Sequence, residues 1–470
     1  MARRAAYDGL MLTSVHPVVV ADKWTGEDIG ELPRASERDV EVALSAALSA
    51  RKQSWSALDR SIALTKTVEL LVQRRDSLLG LMRRETGFTT VDVQDEFKRA
   101  IVTLQLCSEE ATRLGGEVVP LGASRGFEKR IAFTLRVPIG VVLAITPFNA
   151  PLNTVCHKVG PALAGGNAVV LKPAQLTPLT AQALAEILWE AGVPRDFLHV
   201  LHGGGSDLGL RLLRDRRIDF ATFTGSTAVG LVVKSETGVR PVQLELGSAS
   251  ATLVCEDADL DRVAADVQRA GFRKAGQVCT SVQTLYAHRS IHASLVEKLA
   301  AEVQSLHAGD PASSETHVGP LITADAAVKA KILVDQAMTR GASRVVGAAP
   351  DGSLFAPTLL DSVTADMAIA REEIFAPVVS LIEFTDLDVA IDMMNASPYG
   401  LQAGVYTTSL SNALRAARGL EVGAVIVNGT SSTRADGMPY GGVKESGFGR
   451  EGPAYAIKEM TVPRLVMLDA

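Results

Sequence analysis

The 470-residue chain reads as an α/β protein built on doubly wound parallel sheets. From Val137 onward, short wholly apolar runs alternate with helical stretches, the pattern of parallel strands covered on both faces. A second region, from about Ala251 to Val427, repeats that alternation. The length also exceeds the roughly 250–300 residues at which one core stops growing, so two or more domains are expected.

Taken in order, Ser36-Glu37-Arg38-Asp39 caps a helix through Val40, Ala43, Leu44, Ala47 and Leu48, and a second helical run covers residues 60 to 82. Residues 117–137 predict a strand pair of mixed polarity, 117–121 and 130–135 around a Gly/Ser turn, forming an exposed arm. Residues 141–145, 168–171 and 198–201 read as buried strands, with a helix from Thr180 to Glu190 between the last two. The second region carries long helices at 258–275 and 292–307, and residues 464–468 form a terminal strand.

Composition narrows the function. A net charge of −6 with no dense Lys/Arg run argues against nucleic acid or an anionic membrane as partner. No apolar stretch reaches the ~18 residues of a membrane helix. The start Met1-Ala2-Arg3-Arg4-Ala5-Ala6-Tyr7-Asp8 meets an acid before any apolar segment, unlike a secretion signal. Cys107, Cys156, Cys255 and Cys279 have the spacing of neither a disulfide framework nor a zinc motif. A cytoplasmic, metal-free enzyme is the expectation.

Chemistry concentrates on Cys279, in Ala275-Gly276-Gln277-Val278-Cys279-Thr280-Ser281, and on Glu245, in Leu244-Glu245-Leu246-Gly247. A thiol after a Gly turn and a separate carboxylate can form a thioester and then hydrolyse it. They lie 34 residues apart, so only the fold can join them. Each alone is also compatible with a small core hydrophobe and a surface charge.

Further segments complete a pattern: Thr146-Pro147-Phe148-Asn149, Lys158 to Leu163, Leu171-Lys172-Pro173-Ala174, Phe223 to Thr227, Glu372 to Pro377, Ser397 to Leu401 and Pro439 to Gly447. In this order, and along nearly its whole length, the chain resembles the NAD(P)-dependent aldehyde dehydrogenase superfamily. The resemblance implies the aldehyde dehydrogenase fold: two doubly wound parallel-sheet domains plus a small β oligomerisation arm. The expected division is a cofactor-binding domain (1–116 and 138–246), a catalytic domain (247–438) and the arm (117–137 and 452–470), in a homodimer or homotetramer.

It also implies roles. Cys279 attacks an aldehyde carbon, and the Asn149 amide with the Cys279 backbone N–H holds the oxyanion. After hydride transfer to NAD or NADP, Glu245 activates the water that hydrolyses the thioester. Members that acylate coenzyme A typically lack this glutamate, so a free acid is the expected product. Lys158 matches a lysine near the active site. For the cofactor, Lys172 is placed for ribose hydroxyls or a 2′-phosphate. Gly225, Ser226 and Val229 follow a strand at 220–223 and open a helix whose N–H groups can meet the pyrophosphate. Glu373 and Phe375 match the pair that holds the nicotinamide ribose and ring. Thr146, Pro147, Ala174, Gly205, Phe223 and Leu246 complete the expected pocket.

The chain departs from the pattern at Gln175, where members that prefer NAD often carry Glu. A neutral amide removes the repulsion of a 2′-phosphate, so NADP is tolerated and the preference stays open. Tunnel positions fall near Ala150, Thr154, His157, Arg273, Val278, Thr280, Arg434 and Tyr440. The stretch Phe272 to Gln277 is similar to that of succinate-semialdehyde dehydrogenases, where an arginine clamps the substrate carboxylate. A small anionic semialdehyde clamped by Arg273, assisted by His157 or Arg434, is one expectation; a structural Arg273 and a neutral substrate is the other. A coenzyme A-acylating dehydrogenase and a non-redox cysteine hydrolase are the rival activities.

Overall fold

A computed structural model describes residues 16–469. The Met1 to Asp8 segment read for a secretion signal lies outside the described residues, as does the last position of the terminal segment.

Every residue of the strands Val141–Ile145 and Ala168–Lys172 is buried, which is why these segments read as unbroken apolar runs. They sit in a six-stranded sheet whose spatial order is Gly447–Phe448, Val242–Glu245, Phe220–Thr224, Val141–Ile145, Ala168–Lys172, Leu198–Val200. All its pairings are parallel except that of Gly447–Phe448. The winding reverses at Val141–Ile145, with the next strand in sequence on one side and Phe220–Thr224 on the other. Such a reversal opens a crevice beyond the carboxyl ends of the strands. Here those ends run into Thr146-Pro147 and Gly225-Ser226.

The second sheet has seven strands, in the order Ser343–Val346, Thr358–Asp361, Val378–Phe384, Thr284–His288, Ala251–Val254, Gln402–Tyr406, Ala424–Val427. Only its first pair is antiparallel. Each of these two sheets has its own apolar core. A third, antiparallel sheet joins Thr461–Asp469 to Arg130–Pro138 in continuous register, with Val118–Val119 on the far edge. The fold is α/β, as the alternation predicted.

The helices differ from the sequence reading in four places, one being the run read at 292–307, which is Arg289–Gln304. The run at 60–82 is two helices, Ala57–Gln73 and Arg75–Thr86, because Arg74 leaves helical geometry (φ −100°, ψ 14°). The helix expected to reach 275 ends at Phe272. Lys274, Ala275 and Gly276 there take φ of 52°, 54° and 70°, and the buried Lys274 ammonium is drawn inward to Glu96. The longest helix, Thr90–Arg113, had no predicted counterpart. Yet Thr89 and Asp92 form its capping box, and Val93, Phe97, Ala100, Leu104 and Ala111 are its buried stripe.

One capping interaction ties the helical layer to the first sheet. The helix Pro178–Glu190 has no side-chain cap of its own. Instead the Glu85 carboxylate accepts hydrogen bonds from the backbone N–H of Leu179 and Thr180 and from the Thr180 hydroxyl. Burial pushes Glu85 up to about 7 despite those bonds.

Candidate active site

The crevice at the winding reversal continues into a single cavity of about 770 Å³. Its walls come from both sheets. From the first come Thr146, Pro147, Asn149, Lys172, Ala174, Gly205, Phe223, Gly225, Ser226, Val229, Glu245 and Leu246. From the second come Arg273, Val278, Cys279, Thr280, Glu373 and Phe375, with Arg434 and Tyr440 from the segment that follows it. Ala150 and Thr154 also line it. Cys279 and Glu245, far apart in sequence, therefore face one space.

Close approach dictates two glycines. A Cβ at Gly225 would lie 2.5 Å from the Phe223 ring, and one at Gly276 would lie 2.1 Å from the Ala376 carbonyl oxygen. The first turn opens the helix Thr227–Thr237, whose N-cap Ser226 accepts from the Val229 N–H. The second presents Cys279. Nearby, the Glu373 carboxylate accepts from the Ser248 N–H at 3.0 Å, and burial pushes it up to about 7. Phe375 sits at φ 50°, with its ring edge-on to Phe148 at 5.9 Å.

Cys279 is the one partly accessible thiol among the described residues; Cys107, Cys156 and Cys255 are buried in the cores. Its Sγ lies 2.9 Å from the Tyr440 hydroxyl, which in turn lies 3.3 Å from Glu245 Oε1. Burial, reinforced by the Glu245 charge, pushes the thiol well above its usual range. Burial and the neighbouring Glu451 charge push Glu245 up to about 7. Asn149 donates one amide hydrogen to the Gln277 carbonyl at 2.8 Å, which fixes the side chain beside the Cys279 loop with a second N–H left over.

Three expected site residues stand off the cavity. Lys158 is fully buried one layer behind it, donating to Thr222 Oγ1 and Glu451 Oε1, each at 3.0 Å. His157 turns toward Asp436 and Thr103, at 3.0 and 3.3 Å, and burial lowers its pKa. Gln175 is exposed on the surface past Lys172. Lys172 itself is buried inside the cavity wall, bonded only to its own neighbour's carbonyl, and burial lowers it to about 8.

The structure adds residues that the sequence reading missed. Glu451, fully enclosed, bridges Lys158 and Arg434; burial opposes its charge, yet the two cations hold its carboxyl well below the usual range. Arg434 stacks over the Tyr440 ring at 3.5 Å. Arg99, from the unpredicted helix, lines the cavity and is gripped by Asp436 through two hydrogen bonds. Lys274 also lines it, paired with Glu96. Arg273 differs from Arg99, Lys274 and Arg434. It bonds only the Ser432 hydroxyl, and no carboxylate among the described residues lies within ion-pair reach. Burial and the like charge of Arg99 lower its pKa.

No group of three or more His, Cys, Asp or Glu among the described residues could hold a metal ion, and no helix is long and apolar enough to cross a membrane.

Comparison with known proteins agrees with this geometry. The 3-sulfolactaldehyde dehydrogenase of Priestia megaterium is 44% identical over 457 residues, covering 97% of this chain and 96% of that protein. Aldehyde dehydrogenase 21 from Physcomitrella patens, solved with the reaction product succinate, superposes with a TM-score of 0.94 at 34% identity, covering 97% of this chain and 95% of that one. The NADP-dependent glyceraldehyde-3-phosphate dehydrogenase of Bacillus halodurans, solved with NADP, gives 0.94 at 34% identity and 96% coverage of both chains. The aldehyde dehydrogenase family model matches residues 13–466, and the chain belongs to that family of NAD(P)-dependent oxidoreductases.

Proposed function

We propose that this enzyme oxidises a short aldehyde carrying a distal anion, a sulfonate or a carboxylate, to the free acid. The observation that carries the reading is the cluster of Arg273 and Arg99 on the cavity wall. Two guanidiniums repel each other there, and Arg273 forms no ion pair, with only the more distant charge of buried Asp92 to offset its own. A bound anion would supply the missing counter-charge, and a guanidinium can grip sulfonate or carboxylate oxygens in pairs. The 44%-identical sulfolactaldehyde dehydrogenase and the succinate held by a solved relative support the same substrate class.

In this reading the Cys279 thiol adds to the aldehyde carbon, and the free Asn149 N–H with the Cys279 backbone N–H holds the resulting oxyanion. The nicotinamide cofactor, when bound, accepts the hydride that leaves as the carbonyl re-forms. Glu245 then draws a proton from the water that attacks the Cys279 thioester. A carboxyl held near 7 is well poised for that task. The residues fit the cofactor: Lys172 keeps free donors inside the cavity, and Gly225 and Ser226 line it where the helix Thr227–Thr237 begins. Lys158 serves from behind the wall by holding Glu451. His157 does so by holding Asp436, which grips Arg99.

We also assign the cofactor-binding domain to 1–116 and 138–246 and the catalytic domain to 247–438. The arm, 117–137 and 452–470, would cover a second copy of the chain. Exposed Val118, Ile131, Leu465 and Leu468 on its sheet support that use. Steady-state kinetics of Arg273→Ala test the main reading. KM should rise for sulfonate and carboxylate aldehydes while neutral aldehydes are spared; an equal effect on both removes the clamp.

A further inference from the structure

Cys279 presents a problem that the reaction above leaves open. The thiol is largely buried and lies beside a carboxylate, and both features disfavour the thiolate. Among the described residues no histidine adjoins it, and the Glu245 carboxylate meets the thiol both directly and through one bridging side chain. The single side chain that bonds both is Tyr440, 2.9 Å from the sulfur and 3.3 Å from Glu245 Oε1.

We propose that Tyr440 is a catalytic proton relay through which Glu245 deprotonates Cys279 during attack on the aldehyde. The sulfur–carbon bond forms and the carbonyl π bond becomes the oxyanion. The thiol proton passes to the Tyr440 oxygen as the tyrosine's own proton passes to Glu245. Tyr440 ends neutral, Glu245 ends as the acid, and one negative charge has moved from Glu245 to the oxyanion. Glu245 then gives this proton up to solvent before the second half-reaction, in which the restored carboxylate takes a proton from the attacking water.

The surroundings fix the phenol in this role. Tyr440 is buried (2% exposed), and its backbone exchanges two hydrogen bonds with Glu451. Arg434 stacks on its ring and is itself anchored by Glu451, so the ring cannot swing away without breaking a buried ion pair. A phenol with a pKa far above 7 passes protons without ionising, and Tyr440 is held well above its usual value by burial and the Cys279 charge. The charged groups facing the relay are Arg434, Glu451 and Lys158 around Glu245, Glu373 across the cavity, and Arg273 beside the sulfur.

The proposal rests on Cys279 as nucleophile and Glu245 as base, and thiol alkylation separates the two. The rate of iodoacetamide modification, with the labelled residue mapped by mass spectrometry, is followed against pH for the wild type, Tyr440→Phe, Glu245→Gln and the double variant. Cys279 should be the site labelled in the wild type, with a rate that rises near pH 7 as Glu245 ionises. Tyr440→Phe keeps the ring and its stacking, and should slow labelling at neutral pH about tenfold or more and move the midpoint upward by a unit or more. Glu245→Gln should do the same, and the double variant should add nothing. A wild-type profile in Tyr440→Phe overturns the relay. So does a slower rate with an unmoved midpoint, which is a packing effect, or additive losses in the double variant. Failure to label Cys279 in the wild type instead defeats the underlying assignment of the nucleophile.

Discussion

Replacing Glu451 by Gln is the sharpest perturbation the site offers. The carboxylate is 3.0 Å from Lys158 and 2.9 Å from Arg434, and its side chain is only 3% exposed. Removing the charge leaves two buried cations without their shared anion, and breaking a buried pair in this way costs about 3–5 kcal/mol. Gln keeps one acceptor oxygen but turns a donor toward a cation, so it recovers little of that loss. The sign with pH is fixed by the depressed carboxyl. Its stabilisation is fully present above the unfolded Glu value of about 4.3 and fades as pH falls below it. Urea unfolding at pH 7 should therefore show the full deficit, and unfolding near pH 3 a smaller one. There is a second consequence. Glu451 is one of the groups that raise Glu245, so without it Glu245 should titrate below 7 and the rising limb of activity should move to lower pH. Equal stability at pH 7 together with an unmoved limb would refute the reasoning.

Other outcomes follow from the same geometry. Asn149→Ala should lower kcat about 100- to 1000-fold with cofactor binding unchanged, measured by initial rates and fluorescence titration. Gln175→Glu puts a charge on the surface three residues past Lys172; if that position faces the 2′-phosphate as the family resemblance implies, KM for NADP should rise several-fold and that for NAD should not. Under the proposed use of the 461–469 sheet to cover a second copy, Leu465→Asp, which charges its exposed face, should lower the mass seen by light scattering without lowering the unfolding midpoint; an unchanged mass removes that use.

Much of this molecule is legible in its sequence. The buried strands at 141–145 and 168–171 are legible because both faces are covered, so their apolar runs are unbroken. Cys279 and Glu245 stood out because their flanking glycines and motifs mark them, and the fold brings them into one cavity. What escaped was long-range partnership. Nothing local to Glu451 says that it neutralises Lys158 and Arg434, although two cations bound for the interior demanded an anion somewhere. Arg99 was missed with its helix, whose capping box and apolar stripe were readable but unread. The early end of the helix at Phe272 came from the pull of Glu96 on Lys274, a tertiary contact that propensity cannot register. His157 looked like a tunnel residue from its motif, but Asp436 holds it to the side.

The central claim is that the cavity recognises an aldehyde by its anionic end and oxidises it to the acid. Its most direct test compares kcat/KM of the wild-type enzyme for sulfolactaldehyde and for lactaldehyde, which lacks only the sulfonate, by the absorbance of the reduced nicotinamide. A charge-assisted guanidinium contact of ~1.5–3 kcal/mol predicts a preference for the sulfonate of about 10- to 150-fold. Equal values, or a preference for the neutral aldehyde, would contradict it.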